Sequence, residues 1–170
     1  AGHGRSPYHP AVVGPMGPAF VYPAAQGLFV PQEKADIQTA WAWGREPGDP
    51  QFDQLVAGFG PLPDDLGYSQ ELDADRIAQL LDQIGPAILV TNSAGGPVGW
   101  VVADRRPELV RAIVSVEPMG PAFVEFPGIG KLDWGLTAAP VTYDPPLNSP
   151  EEVEKAAPES RRMPGVAGKD

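Results

Sequence analysis

The clearest pattern of apolar and polar positions lies between residues 85 and 118. An apolar run at 87–90 has the length and β-branched content typical of a strand that is buried on both faces. Valines within 97–106 follow with the spacing of a helix packed on a sheet, and Pro107 ends that helix because proline cannot continue it. A second buried strand is expected over 112–116. A strand, a turn, a helix and a strand make a βαβ unit, so the two strands should be parallel neighbours.

Other segments carry weaker patterns. Apolar residues in 69–84 lie on one face of a helix, and Gly85 with Pro86 ends it. The face in 31–43 is less regular, and its apolar residues either pack in the core or form a hydrophobic wall over a substrate site. A short helix is expected in 51–67, whereas Pro and Gly punctuate 11–28 too often for a long helix or strand.

The turn between the first predicted strand and its helix reads TNSAGG and contains Ser93. A sharp strand-to-helix turn of this kind needs small residues two positions before and after the serine, here Thr91 and Gly95. Such a turn holds the hydroxyl above the sheet edge. The amide of Ala94, at the helix N-terminus, then faces a developing oxyanion. The alternative is a plain turn in which the serine caps the helix.

Glu117 follows the second predicted strand. The carboxyl ends of parallel strands meet at one edge of a sheet, where α/β proteins bind ligands. A carboxylate beside Ser93 could orient a histidine and stabilise its imidazolium. The alternative is a strand-end carboxylate that faces solvent or pairs with Arg105.

These segments resemble the α/β-hydrolase fold, and more narrowly a bacterial serine esterase family with T-H-S-x-G-G at the turn and V-E-P after the next strand. GHGRSPYHP at 2–10, WGLT at 134–137 and YDPP at 143–146 are also similar to segments of that family. The resemblance implies hydrolysis of a small-molecule carboxylic ester through an acyl-enzyme, without a cofactor. In it Ser93 is the nucleophile and Glu117 is the triad acid.

Pocket positions follow from the same resemblance. Asn92 stands where the family usually has His, and because it precedes the nucleophile and is not the base, it is expected to tune activity. The candidates for pocket lining are Asn92, His9, Pro118 and Met119.

The resemblance also implies an incomplete unit. We expect one α/β domain over 1–170, a partial α/β-hydrolase fold with a parallel sheet, flanking helices, a long loop or cap excursion at 10–66 and an exposed tail at 147–170. Neither His3 nor His9 fits the order serine, acid, histidine. The first strands and the catalytic His are therefore expected beyond this chain or on a second polypeptide. The alternative is an inactive hydrolase-like fragment that acts as a binding or assembly module.

The composition and the residue patterns argue against several classes of function. The net charge of −10 argues against nucleic-acid binding, which needs basic patches. The chain has no Cys, no His/Asp/Glu cluster at metal-ligand spacing and no apolar run long enough for a membrane span. A soluble protein is expected, with secreted and periplasmic locations both open. The heptapeptide PMGPAFV occurs at 15–21 and 118–124 and is interpreted as two similar loops, since its flanks do not align.

Overall fold

A computed structural model describes residues 11, 14–18, 21–126 and 129–157 of the chain. In chain order the elements are α1 (Tyr22–Phe29), a 3₁₀ turn (Gln32–Lys34), α2 (Pro50–Ala57), α3 (Leu66–Ile84), β1 (Ala87–Ser93), α4 (Gly96–Arg105), β2 (Val110–Pro118) and α5 (Pro150–Ala156). Strands β1 and β2 pair in parallel, with α4 between them in the chain. The predicted βαβ unit is therefore confirmed.

Helix α3 leads into the first strand and begins slightly earlier than its apolar pattern predicts. Asp65 caps it, because its carboxylate accepts a hydrogen bond of 2.8 Å from the amide of Tyr68. Gly85 ends it with a positive φ of 84°, and its amide donates to the carbonyl of Leu81 at 2.8 Å. Glycine adopts this conformation without the steric cost that a side chain brings.

The main core lies between α3, α4 and one face of the sheet. Its buried members are Ala74, Leu81, Val98, Val101, Val102 and Ala139. Helix α4 approaches the strands closely at Gly99, where an added Cβ would lie 3.1 Å from Cγ2 of Thr91 and 3.3 Å from Cγ2 of Ile113. A small residue at this point lets the helix backbone rest on both strands.

The prediction that both faces of the strands are buried is wrong for the described part of the chain. Burial alternates along β1, and Ile88 and Val90 are 58% and 72% exposed. On β2, Val114 and Val116 are 50% and 48% exposed. We call these four side chains the outer sheet face. An apolar run has the same sequence whether one or two layers cover it, so its pattern alone does not decide this point.

Residues 22–59 form a second, smaller hydrophobic cluster around Ala25, Val30 and Phe52. The ring of Tyr22 meets the ring of Phe52 edge-on, with centroids 5.7 Å apart. Trp41 packs against this cluster, which agrees with core packing rather than with a wall over a substrate site.

The helix predicted over 31–43 is not formed. Only the 3₁₀ turn at its start is helical, and turns and bends follow it. Ile37 is 77% exposed, and the indole N–H of Trp41 donates to the carbonyl of Gly44 at 3.0 Å. The irregular apolar spacing is the physical reason, because no single helix face could bury these residues together.

The start of the predicted tail at 147–170 forms helix α5. Ser149 caps this helix, and Val153 within it is 4% exposed. Residues 158–170 lie outside the described residues.

An ion pair joins the two helices beside the sheet and gives a pH-dependent prediction. Arg106 follows α4 and donates two hydrogen bonds to the carboxylate of Asp82 in α3, at 2.9 and 3.1 Å. These bonds lower the pKa of Asp82. A carboxylate whose pKa is lowered by folding stabilises the protein above its unfolded pKa of about 3.9, and this stabilisation is lost as the pH falls through the folded pKa.

We expect Asp82→Asn to lower the melting temperature at pH 7 and to have little effect below the lowered pKa of the folded protein. The measurement is thermal unfolding of both proteins across this pH range. The matched control is Asp73→Asn, since Asp73 makes only a longer contact of 3.7 Å with Arg76 on the same helix. A difference at Asp82 that does not change with pH would contradict the prediction.

Candidate functional site

The turn that contains Ser93 joins β1 directly to α4. Ser93 has a φ of +51°, in the left-handed region that side chains other than glycine rarely adopt. The amide of Gly95 donates to the carbonyl of Asn92 at 2.9 Å and closes the turn. Such a conformation costs about 1–2 kcal/mol and is found most often at functional sites.

The capping alternative for this serine does not agree with the geometry. The residue that caps α4 is Gly95, and no side chain makes a capping hydrogen bond there. Ser93 and Ala94 are instead exposed at the edge of the sheet. The turn therefore presents the serine hydroxyl to solvent next to the N-terminus of a ten-residue helix.

Glu117 lies at the same edge, as predicted, but within β2, because this strand continues to Pro118 and does not end at Val116. The strand register pairs Asn92 with Val116 but Ser93 with Pro118, so Glu117 is an extra residue that bulges from β2. Its φ is +43°, and its side chain is exposed. Bulges of this kind redirect a side chain and are frequent beside active sites.

Several contacts join the carboxyl ends of β1 and β2. The amide of Met119 donates to the carbonyl of Ser93 at 2.8 Å. An added Cβ on Gly96 would lie 2.5 Å from Cβ of Pro118, so the first turn of α4 touches the end of β2. The hydroxyls of Thr91 and Ser115 share a hydrogen bond of 3.1 Å just below this contact.

The alternative partner predicted for Glu117 is engaged elsewhere. Arg105 forms an ion pair with Asp75 and donates to the backbone carbonyl of Glu71 at 3.0 Å. These contacts hold the end of α4 against α3. They place the Arg105 guanidinium in the helix interface.

The candidate pocket residues have different positions. Asn92 precedes Ser93 in the chain, and Pro118 is its partner in the strand register; both are exposed. Met119 is half-buried and donates its backbone amide to the carbonyl of Ser93. His9 lies outside the described residues, as does His3. Two cavities, of about 250 and 390 Å³, are lined by other residues. The smaller one lies between Leu62 and Glu125 and the larger one between Asp104 and Tyr143.

One contact of the site was missed by sequence reasoning. The side-chain amide of Asn92 donates to the backbone carbonyl of Val116 at 3.0 Å. The sequence places Asn92 before the serine but does not show which residue of the second strand lies opposite. The strand register supplies that information.

The described ranges lack two other kinds of feature. No group of three or more His, Cys, Asp or Glu residues is placed there to hold a metal ion. Among the helices of residues 21–157 that are described, none is long and apolar enough to cross a membrane.

Comparison with known proteins supports a relationship with hydrolases. The chain is 35% identical over 149 residues to a protein of Fungal sp. named "Probable secreted lipase phiG", an alignment that covers 84% of this chain and 40% of that protein. It is also 39% identical over 87 residues to a 2-hydroxymuconate semialdehyde hydrolase of Pseudomonas sp., which covers 49% of this chain and 30% of that enzyme. The chain thus spans less than half the length of either relative. No family model and no solved structure matches it.

Proposed function

We propose that this chain carries the nucleophile and the acid of a serine hydrolase that cleaves carboxylic esters, on a partial α/β-hydrolase fold. Ser93 is the nucleophile, Glu117 is the triad acid, and the amide of Ala94 is an oxyanion donor. The support comes from the similarity to a lipase and a hydrolase, together with the geometry of the turn. The observation that carries the proposal is the exposed, left-handed Ser93 between a parallel strand and a helix N-terminus.

The proposed reaction passes through an acyl-enzyme. Oγ of Ser93 attacks the ester carbonyl while a histidine accepts its proton, and the new alkoxide is stabilised by the Ala94 amide and the positive end of α4. The histidine returns the proton to the leaving alcohol as the ester C–O bond breaks. Water then attacks the acyl group, and Ser93 is regenerated together with a carboxylic acid. Glu117 orients the histidine and stabilises its charged form.

The histidine is the part of the proposal that the described residues do not contain. The histidines of the sequence are His3 and His9, and both precede Ser93. A triad of this fold has its histidine after the acid. We therefore propose that the general base comes from a segment after residue 170 or from a second polypeptide.

A fluorophosphonate probe tests this function, because it forms a covalent bond only with an activated serine and releases fluoride. The intact gene product, purified together with any polypeptide that binds it, is incubated with the probe, analysed by intact-mass spectrometry and digested to map the adduct. One adduct on Ser93 is expected. The 170-residue chain of 18.0 kDa by itself is expected to react much more slowly, since no histidine follows its acid. An intact product that stays unlabelled, or that is labelled on another serine, would refute the assignment.

A second candidate function is a catalytically inactive module that binds another polypeptide. The outer sheet face favours it, because four apolar side chains of a parallel sheet are about half exposed or more. If the chain is such a module, the fluorophosphonate probe should not label Ser93, and sedimentation should show a complex of more than one chain. A labelled monomer would rule it out.

A further inference from the structure

We propose that Asn92 is a positioning residue that sets the direction of the Glu117 side chain by holding the bulge of β2. The inference rests on the proposed function, because a direction for Glu117 matters only if this carboxylate works with Ser93. It also goes further than that function, since it assigns a role to a side chain that the proposed reaction does not itself use.

The first observation is the hydrogen bond across the strand ends. Nδ2 of Asn92 lies 3.0 Å from the carbonyl oxygen of Val116. A carbonyl can only accept, so the nitrogen of the side-chain amide must be the group that faces it. The bond therefore specifies the orientation of the Asn92 amide.

The second observation is the position of the accepting carbonyl. It belongs to the peptide plane that joins Val116 to Glu117, and the bulge begins at the next residue. The φ of Glu117, +43°, is the rotation about the bond that follows this plane. A bond that fixes the plane thus fixes the starting direction from which the carboxylate projects.

The third observation is that the bulge needs support. A left-handed glutamate is strained, and such residues persist only where the surroundings hold them. Two contacts flank Glu117 in the structure, the Asn92 bond before it and the bond from the Met119 amide to the Ser93 carbonyl after it. The same two contacts join β2 to Asn92 and to Ser93 itself, so one local structure sets both the serine and the carboxylate.

A double-mutant cycle in the intact gene product tests the inference, with the rate constant of fluorophosphonate labelling as the readout. Asn92→Ala removes the donor and is expected to slow labelling about tenfold. In a Glu117→Gln background the same change is expected to slow it less than about twofold, because residues that act through one another are not additive. Asn92→His, which retains an N–H donor, is expected to restore most of the rate. Equal losses in both backgrounds, or no loss in either, would overturn the proposal.

A second measurement does not depend on activity and uses amide hydrogen exchange by NMR. Asn92→Ala is expected to shift the amide resonance of Glu117 and to accelerate exchange at Met119. Gln38→Ala is the matched control, because it also removes a side-chain amide bond to a backbone carbonyl, that of Phe29 at 3.1 Å. It should leave residues 116–119 unchanged. If the wild-type protein is not labelled at all, the proposed function is refuted. If exchange at Met119 is unchanged in Asn92→Ala, the positioning role is refuted, whether or not the wild type is labelled.

Discussion

Ester hydrolysis by the intact gene product is expected to fall by at least about a thousandfold when Ser93 is replaced by alanine. The reason is that the proposed mechanism forms its covalent bond at Oγ of this residue, and no neighbouring hydroxyl stands at the same point of the turn. The measurement is the turnover of a short-chain p-nitrophenyl ester. Ser69→Ala is the control, since Ser69 lies on α3 and has no role in the proposed reaction, so turnover should be unchanged.

A companion variant separates loss of chemistry from loss of fold. Ser93→Gly removes the same hydroxyl but relieves the positive φ of +51°. We expect it to be as inactive as Ser93→Ala and about 1 kcal/mol more stable toward urea, because glycine adopts left-handed conformations without a steric penalty. Activity retained in either variant would exclude Ser93 as the nucleophile. A glycine variant less stable than the alanine variant would contradict the strain argument.

The largest effect on stability is expected at Gly96, the first residue of α4. An added methyl group would lie 2.5 Å from Cβ and 2.8 Å from Cα of Pro118, and 3.3 Å from Oγ of Ser115. Contacts below 3 Å with a backbone atom and with the rigid proline ring force either α4 or the end of β2 to move. Overpacking of this kind costs typically 1–3 kcal/mol, and we expect Gly96→Ala to lower the free energy of unfolding by about 3 kcal/mol.

The control for this prediction is a glycine-to-alanine change in open space. Gly27 lies within α1, and an added Cβ there meets no atom within 4 Å. Gly27→Ala is expected to stabilise the protein by up to about 1 kcal/mol, because alanine has the higher helix propensity. Urea unfolding of the two variants beside the wild type provides the test. Effects of the same sign at Gly27 and Gly96 would contradict the proposed contact of α4 with β2.

The effect of Gly96→Ala on function should follow from the same contact. Movement of Pro118 displaces the bulge that contains Glu117, since the two residues are adjacent in β2. Fluorophosphonate labelling of the folded fraction is therefore expected to slow as well. The close contact at Gly96 thus connects the stability of the βαβ unit to the geometry of the proposed site.

Local sequence patterns were sufficient for the elements that the proposed site requires. An apolar run, a turn of small residues and the valines of α4 predict a parallel βαβ unit, because each pattern depends on neighbours in the chain. The same patterns place Ser93 at a strand-to-helix turn and Glu117 at the end of the next strand. Their occurrence at one sheet edge follows from the parallel pairing alone.

Tertiary structure decided which surfaces are covered and where single atoms meet. The apolar residues Ile88 and Val90 are predicted to be buried, yet they belong to the outer sheet face. The reason is that burial depends on which layers pack against a strand. The segment 31–43 is predicted to be a helix, but its side chains make other contacts. Trp41 packs on the cluster around Phe52, and the side chains of Gln38 and Trp41 donate to nearby backbone carbonyls, which stabilises turns instead. The bulge at Glu117 and the bond from Asn92 to Val116 need the strand register, which no local pattern contains. Local patterns therefore predict the βαβ unit and its candidate residues, whereas long-range packing determines how these residues are oriented.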